Sequence, residues 1–162
     1  MLNNIKFTIL LLFIPLILIG QESDDKMPIL KQNKELYTTF NKFYTDSIRQ
    51  ETKDEWGGPY FYKIDLVYGI HYLDYNKDGV NDVLVEFSSY ASDGGTWYFF
   101  TAVLFENLNG KYRYIAHIDP DYNVFEKYEN SIFYFTGVRF KTLLDENRKK
   151  SFKLVYKKFI EQ

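Results

Sequence analysis

One segment of the chain, residues 74–82, carries oxygen-bearing side chains at the spacing of a cation-binding loop. At positions one, three, five and nine of this segment stand Asp74, Asn76, Asp78 and Asp82. A hard cation such as Ca²⁺ takes six to eight oxygen ligands at about 2.3–2.6 Å, and alternate residues of a tight loop can direct theirs inward. Val80, at position seven, would add its backbone carbonyl oxygen. The spacing therefore predicts a calcium site made by these five residues.

Gly79, at position six, permits the sharp reversal of such a loop, because a residue without Cβ adopts a positive φ readily. Asp, Asn and Gly are also the ordinary residues of turns, so an empty hairpin connection is the alternative. A match at four ligand positions plus the glycine is less common than a generic turn, which favours ion binding. Such an ion would pin the hairpin and perform no chemistry.

The pattern Asp74-x-Asn76-x-Asp78-Gly79-x-x-Asp82, followed by the apolar residues 83–85, resembles the calcium loops of dockerin modules and of FG-GAP/VCBS-type repeats. It departs from a full EF-hand loop, which ends in a bidentate acid at position twelve, because Val85 stands there. The missing acid predicts a modest affinity, suited to calcium-rich surroundings outside the cytoplasm. A single copy in a short chain does not imply a propeller.

A second, looser resemblance covers about residues 64–118. Small exported bacterial proteins also run from such a loop into a glycine-rich turn, here 92–96, and then into an aromatic and apolar strand, here 97–104. This resemblance implies no particular activity.

The other residues that could do chemistry form no catalytic pattern. His71 precedes Asp74 by three residues and could contact the loop, but His71 and His117 without a linked carboxylate pattern make no zinc motif. Ser88 and Ser89 lack a G-x-S-x-G elbow. We therefore expect no enzymatic activity.

Two glycine-rich turns have aromatic residues beside them, at 56–60 (WGGPY) and 93–97 (DGGTW). Sugar- and peptide-binding loops often have this composition. A tight turn with its ring packed over the sheet edge is the favoured alternative, because aromatic residues so often pack in cores.

Strands must flank the loop if it is to join a hairpin. Residues 61–73 and 82–90 are rich in β-formers, and the second segment alternates Val83, Val85 and Phe87 with other residues. Further strands are predicted at 97–106, 111–118, 131–140 and 151–160. The Asn109-Gly110 pair suits the positive φ of a hairpin turn, 119–121 predicts another turn, and the charged segment 145–150 predicts a loop.

Residues 29–50 place apolar side chains at three- and four-residue spacing, which predicts one amphipathic helix. One helix can cover a face of an antiparallel meander. We therefore predict an α+β fold, with the N-terminal helix packed on a mostly antiparallel meander sheet and the calcium loop between two strands. Residues 29–162 would form this single domain.

The first twenty residues combine one base, Lys6, with an unbroken apolar run at 7–19 and a small residue, Gly20. These are the parts of a secretory signal, and the run is short for a membrane span, which needs roughly 20 apolar residues. We predict a signal peptide at 1–20 and a flexible lead-in at 21–28. An uncleaved N-terminal anchor is the alternative. The mature protein would be periplasmic or secreted, with no membrane span.

Composition excludes several classes of partner and site. The formal net charge of −2 provides no basic field for nucleic acid. The absence of cysteine excludes disulfides, thiolate metal sites and a cysteine nucleophile. The sequence thus favours an exported non-catalytic binding domain, stabilised by Ca²⁺, whose partner is a protein or a glycan. An envelope-polymer hydrolase and a small inhibitor or immunity-type protein are the alternatives.

Overall fold

The chain is described here by a computed structural model that defines residues 25–49, 52–53, 59–92, 98–119, 123–139 and 143–162. The predicted signal peptide at 1–20 lies outside the described residues. So do residues 56–58 and 93–97 of the two glycine-rich turns, and residues 21–24 of the predicted lead-in.

The helical part is interrupted, where the sequence predicted one helix from residue 29 to 50. Helix α1 spans Met27–Gln32, α2 spans Lys34–Phe43, and a π-helical turn follows at Tyr44–Ile48. The break is at Asn33, whose backbone is extended and whose side chain accepts a hydrogen bond from the Leu36 N–H at 3.1 Å. Asparagine at this position caps α2 and ends α1, because its side chain competes with the helical backbone bonds.

All recorded strand pairs are antiparallel. The residues that the structure describes contain ten strands, which in chain order are β1 Thr52–Lys53, β2 Pro59–Tyr60, β3 Tyr62–Leu73, β4 Asp82–Ala91, β5 Tyr98–Leu108, β6 Lys111–Ile118, β7 Asn123–Glu129, β8 Ile132–Arg139, β9 Leu143–Val155 and β10 Lys158–Glu161. Strands β3-β4-β5-β6 form the first sheet and β10-β9-β8-β7 form the second, each in sequence order, while β1 and β2 pair separately. The predicted mostly antiparallel sheet with a short helical part is confirmed.

Two segments differ from the sequence prediction. The charged segment 145–150 is not a loop but part of β9. Strand β10 pairs only with residues 152–155 of β9, so within the described residues the 145–150 part pairs with β8 alone, as at the edge of a sheet. Strand β7 was missed because a register shift between Phe125 and Lys127 breaks its alternation.

Strand β4 is buried on both faces. Val83, Val85 and Phe87 belong to one buried cluster with Leu36 and Phe40 of α2. The intervening Leu84 belongs to a second cluster that also contains residues of the second sheet, Phe133, Phe135 and Phe152. The first sheet is therefore the middle layer, between the helices and the second sheet.

The turn between β5 and β6 is as predicted from its sequence. Asn109 and Gly110 both have positive φ, at 55° and 92°. This geometry matches the right-handed twist of the strands that the turn joins.

Candidate functional site

The predicted cation loop lies between the end of β3 and the start of β4, as the flanking β-rich segments predicted. Gly79 has φ 86°, the conformation for which a glycine was expected, and Lys77 also has a positive φ of 61°. The loop is therefore a tight reversal joining two paired strands.

Two carboxylates close the loop on its own backbone. Asp74 accepts hydrogen bonds from the N–H of Asp78 at 3.0 Å and of Gly79 at 2.9 Å, one on each carboxylate oxygen. Asp78 accepts a bond from the Val80 N–H at 2.8 Å. These bonds fix where the two carboxylates lie, and each oxygen keeps further acceptor capacity, because an ionised carboxylate has about four acceptor sites.

Asn76 connects the loop to strand β5. Its amide oxygen accepts from the Asp78 N–H at 3.1 Å, and its amide nitrogen donates to Asp78 Oδ2 at 2.8 Å and to Glu106 Oε1 at 3.3 Å. Glu106 is also paired with the guanidinium of Arg113. A fourth carboxylate thus borders the loop. Sequence spacing could not reveal it, because strand pairing brings Glu106 there from 24 positions beyond Asp82.

Asp82 lies at the buried base of the loop, with none of its surface exposed. Its carboxylate accepts hydrogen bonds from the Asn107 N–H at 2.8 Å and the Tyr75 N–H at 3.3 Å. Burial raises the pKa of Asp82 above its usual range, these two bonds oppose the rise, and the charges of Asp78 and Glu106 add to it. Asp82 therefore fixes the loop to the end of β5.

The second sheet also holds the loop, through Tyr75. The Tyr128 hydroxyl of β7 donates to the Tyr75 carbonyl oxygen at 2.8 Å. Burial, with the charges of Glu106 and Asp82, raises the pKa of Tyr75 to about 12. The loop is thus anchored by two strands, β5 and β7, besides the two strands that it joins.

The predicted ligand set stays a prediction. Asp74, Asn76, Asp78 and Val80 lie in the outer part of the loop and Asp82 at its base, and all are oxygen donors of the kind that Ca²⁺ prefers. Among the described residues, no three His, Cys, Asp or Glu side chains form a group that could hold a metal ion. The donor types fit calcium, whereas the carboxylates are directed at backbone N–H groups and would have to turn to meet at one ion.

Neither histidine contacts the loop through its side chain. His71, expected near Asp74, has its Nε2 at 2.7 Å from Glu86 Oε2. The other Glu86 oxygen accepts from the Phe125 N–H of β7 at 2.6 Å. His117 Nδ1 lies 2.8 Å from the Tyr114 hydroxyl. His71 and Glu86 both belong to the first sheet, and Glu86 links this pair to the second sheet through the Phe125 N–H, a contact that sequence reasoning did not identify.

Comparison of the chain with protein-family models, with curated proteins and with solved structures finds no significant match. The resemblance to dockerin and FG-GAP loops stays a prediction that rests on residues 74–82. Within the described ranges, no helix has the length and apolar character needed to cross a membrane.

Proposed function

We propose that the protein is an exported, non-catalytic binding domain in which the loop of residues 74–82 holds one Ca²⁺ as a structural ion. The observation that carries the proposal is the closed loop itself. Its Asp74 and Asp78 carboxylates are held by backbone N–H groups of the same loop, between two paired strands. These bonds hold the backbone of the loop in a fixed reversal, so binding an ion would require the carboxylates to turn but would not require the backbone to be ordered.

The ion would be held by the side chains of Asp74, Asn76, Asp78 and Asp82 and by the carbonyl oxygen of Val80. Besides Asp74, Asp78 and Asp82 of the loop, the Glu106 carboxylate lies beside Asn76, where it pairs with the guanidinium of Arg113. A divalent cation would offset the mutual repulsion of these carboxylates. Water would complete the shell of six to eight oxygens that calcium takes.

The role of such an ion would be structural, because the loop is bonded to strands of both sheets. Its base is bonded to β5 through Asp82 and Asn107, and its second residue, Tyr75, is bonded to β7 through Tyr128. Fixing the loop would therefore fix the ends of strands from both sheets. A ligand that binds only the folded state stabilises that state in proportion to its affinity and concentration.

Export and partner complete the proposal. The predicted signal at 1–20 would deliver the chain to the periplasm or the medium, where a modest calcium affinity suffices. The partner is a protein or a glycan. A small inhibitor or immunity-type protein is the alternative. It would have the same export and the same ion, and its partner would be an enzyme.

The test is a calcium titration of the full chain after chelator treatment, followed by released heat and by melting temperature. We expect saturable binding that raises the melting temperature, and loss of both effects in Asp78→Ala. The matched control is Asn81→Ala, an exposed change at a loop position that donates no predicted ligand. Absence of binding at millimolar calcium, or equal binding by the Asp78 variant, contradicts the proposed ion site.

A further inference from the structure

A pocket of about 240 Å³ lies on the helix-facing side of the first sheet, beyond the end of α2. Its floor is formed by β4 and β5, where Ser89 pairs in register with Phe99. One wall is the π-helical turn Tyr44–Ile48, which contributes Ser47 and Ile48. The turn is fixed to the sheet by the Tyr44 hydroxyl, which donates to the Tyr62 carbonyl oxygen at 2.7 Å. π-Helical turns are rare and often occur at functional sites.

The pocket contains polar groups that are themselves buried. Ser89 and Thr101 are 1% and 2% exposed. The Thr101 hydroxyl donates to Asp119 Oδ1 at 2.9 Å, which positions this carboxylate in the pocket. Ser89 also lines the pocket, where its hydroxyl can donate or accept a hydrogen bond. Because buried hydroxyls in proteins are generally hydrogen-bonded, Ser89 is suited to bond a ligand or water in the pocket.

An aromatic surface stands beside these polar groups. The Phe99 side chain is 43% exposed, unlike most phenylalanines of the first sheet, and Tyr62 meets it edge to face with ring centroids 4.9 Å apart. An exposed ring that is supported by a second ring offers a rigid apolar platform. The pocket thus combines one apolar face with several hydrogen-bonding groups.

The charges and the size of the pocket restrict the ligand. Asp119 is the only ionisable acid or base among the described lining residues other than Tyr62, so the described lining offers no cation to hold a phosphate or a carboxylate. Three hydroxyls, from Ser47, Ser89 and Thr101, accompany the single carboxylate, which suits a ligand with several hydroxyls better than one with a single positive charge. The volume is below the range of about 300–1,000 Å³ that is usual for drug-sized ligands, so one ring fits.

We propose that this pocket binds a single neutral sugar ring, as a free monosaccharide or as one residue of a glycan. The apolar face of the ring would pack on Phe99. Its hydroxyls would donate to the Asp119 carboxylate and bond to Ser89. This inference rests on the proposed function, since it gives the binding domain a glycan partner and a place to hold it.

The test uses the full chain with glucose, galactose, mannose and N-acetylglucosamine, with saturation-transfer NMR and calorimetric titration at millimolar sugar. We expect at least one sugar to bind with millimolar affinity. Asp119→Asn keeps an acceptor for Thr101 but loses the charge-assisted bond, and is expected to weaken binding about ten-fold. Phe99→Ala is expected to weaken it by a similar factor through loss of the ring contact.

The matched control is Tyr72→Ala, an exposed aromatic residue on β3 at the loop end of the same sheet. We expect this variant to bind the sugar as the unmodified chain does. Absence of binding by all four sugars overturns the proposal, as does binding that Asp119→Asn and Phe99→Ala leave unchanged. Binding of butylamine in place of any sugar also overturns it, and indicates an amine site. Calcium titration of the same samples reports separately on the ion site, so a failure of the sugar site can be distinguished from a failure of the ion site.

Discussion

Glu86 Oε2 lies 2.7 Å from His71 Nε2 in the first sheet, and the Glu86 side chain is almost completely buried. Its second oxygen accepts the Phe125 N–H of the second sheet. A buried carboxyl that binds two partners by both oxygens is stable because each oxygen is satisfied. The pair of His71 and Glu86 therefore connects three strands across the interface between the sheets.

Removal of this carboxyl is expected to destabilise the fold. In Glu86→Ala the Phe125 N–H loses its acceptor, and the free energy of unfolding should fall by about 2 kcal/mol, the usual cost of losing hydrogen bonds to a charged group. Urea unfolding measures this value. Glu129→Ala, which removes an exposed pair with Lys127, is the control and should leave the unfolding midpoint close to its original value. Equal effects of both changes would contradict the role given to Glu86.

Gly69 makes room for the pair. A Cβ at this position would overlap Glu86 Oε2 and His71 Nε2, so Gly69→Ala should displace the carboxyl and destabilise the chain. The effect should be smaller in the Glu86→Ala background, where the overlapping carboxylate oxygen is gone. A double-mutant cycle measured by urea unfolding gives the coupling directly, since contacting residues are non-additive. Strictly additive effects would show that the glycine is needed for another reason.

The sequence predicted the strands that flank the loop, the Asn109-Gly110 turn and the place of the reversal at Gly79, because these features are determined by neighbouring residues. It predicted β4 as a strand, from the alternation of Val83, Val85 and Phe87 with other residues. Both faces are buried, however, since Leu84 packs toward the second sheet. Local periodicity does not reveal how many layers cover a sheet.

In the candidate sites, too, the sequence predicted local features and missed the long-range contacts. The spacing of Asp74, Asn76 and Asp78 identified one loop, since the bonds that close its backbone join residues a few positions apart. The contacts of Glu106 with Asn76 and of Asp119 with Thr101 depend on strand register, so no local sequence pattern could predict them. Long-range register thus decides which polar groups meet, and it becomes visible only in the folded chain.

Substitution of Phe40 tests the packing of α2 on the first sheet. Its ring meets Phe87 edge to face at 5.4 Å between centroids and Phe105 at 6.4 Å, and it is 1% exposed. Phe40→Ala should lower the free energy of unfolding by about 3–5 kcal/mol, the usual cost of such a cavity. Asn41→Ala, on the exposed side of the same helix, should change it little. Thermal and urea unfolding of both variants give the comparison, and a small effect at Phe40 would contradict the packed helix.

Asp82 and Asp78 should respond differently to calcium, because only Asp82 is buried and bonded to a neighbouring strand. In chelator, Asp82→Ala leaves the N–H groups of Asn107 and Tyr75 without their acceptor and should lower the free energy of unfolding by about 2 kcal/mol. Asp78→Ala should have a small effect in chelator and should cost stability mainly when calcium is present, because its predicted contribution is to the ion. Melting temperatures of both variants, with and without calcium, distinguish the two roles. If calcium raises the melting temperature of the Asp78 variant as much as that of the unmodified chain, Asp78 is a turn residue and does not bind the ion.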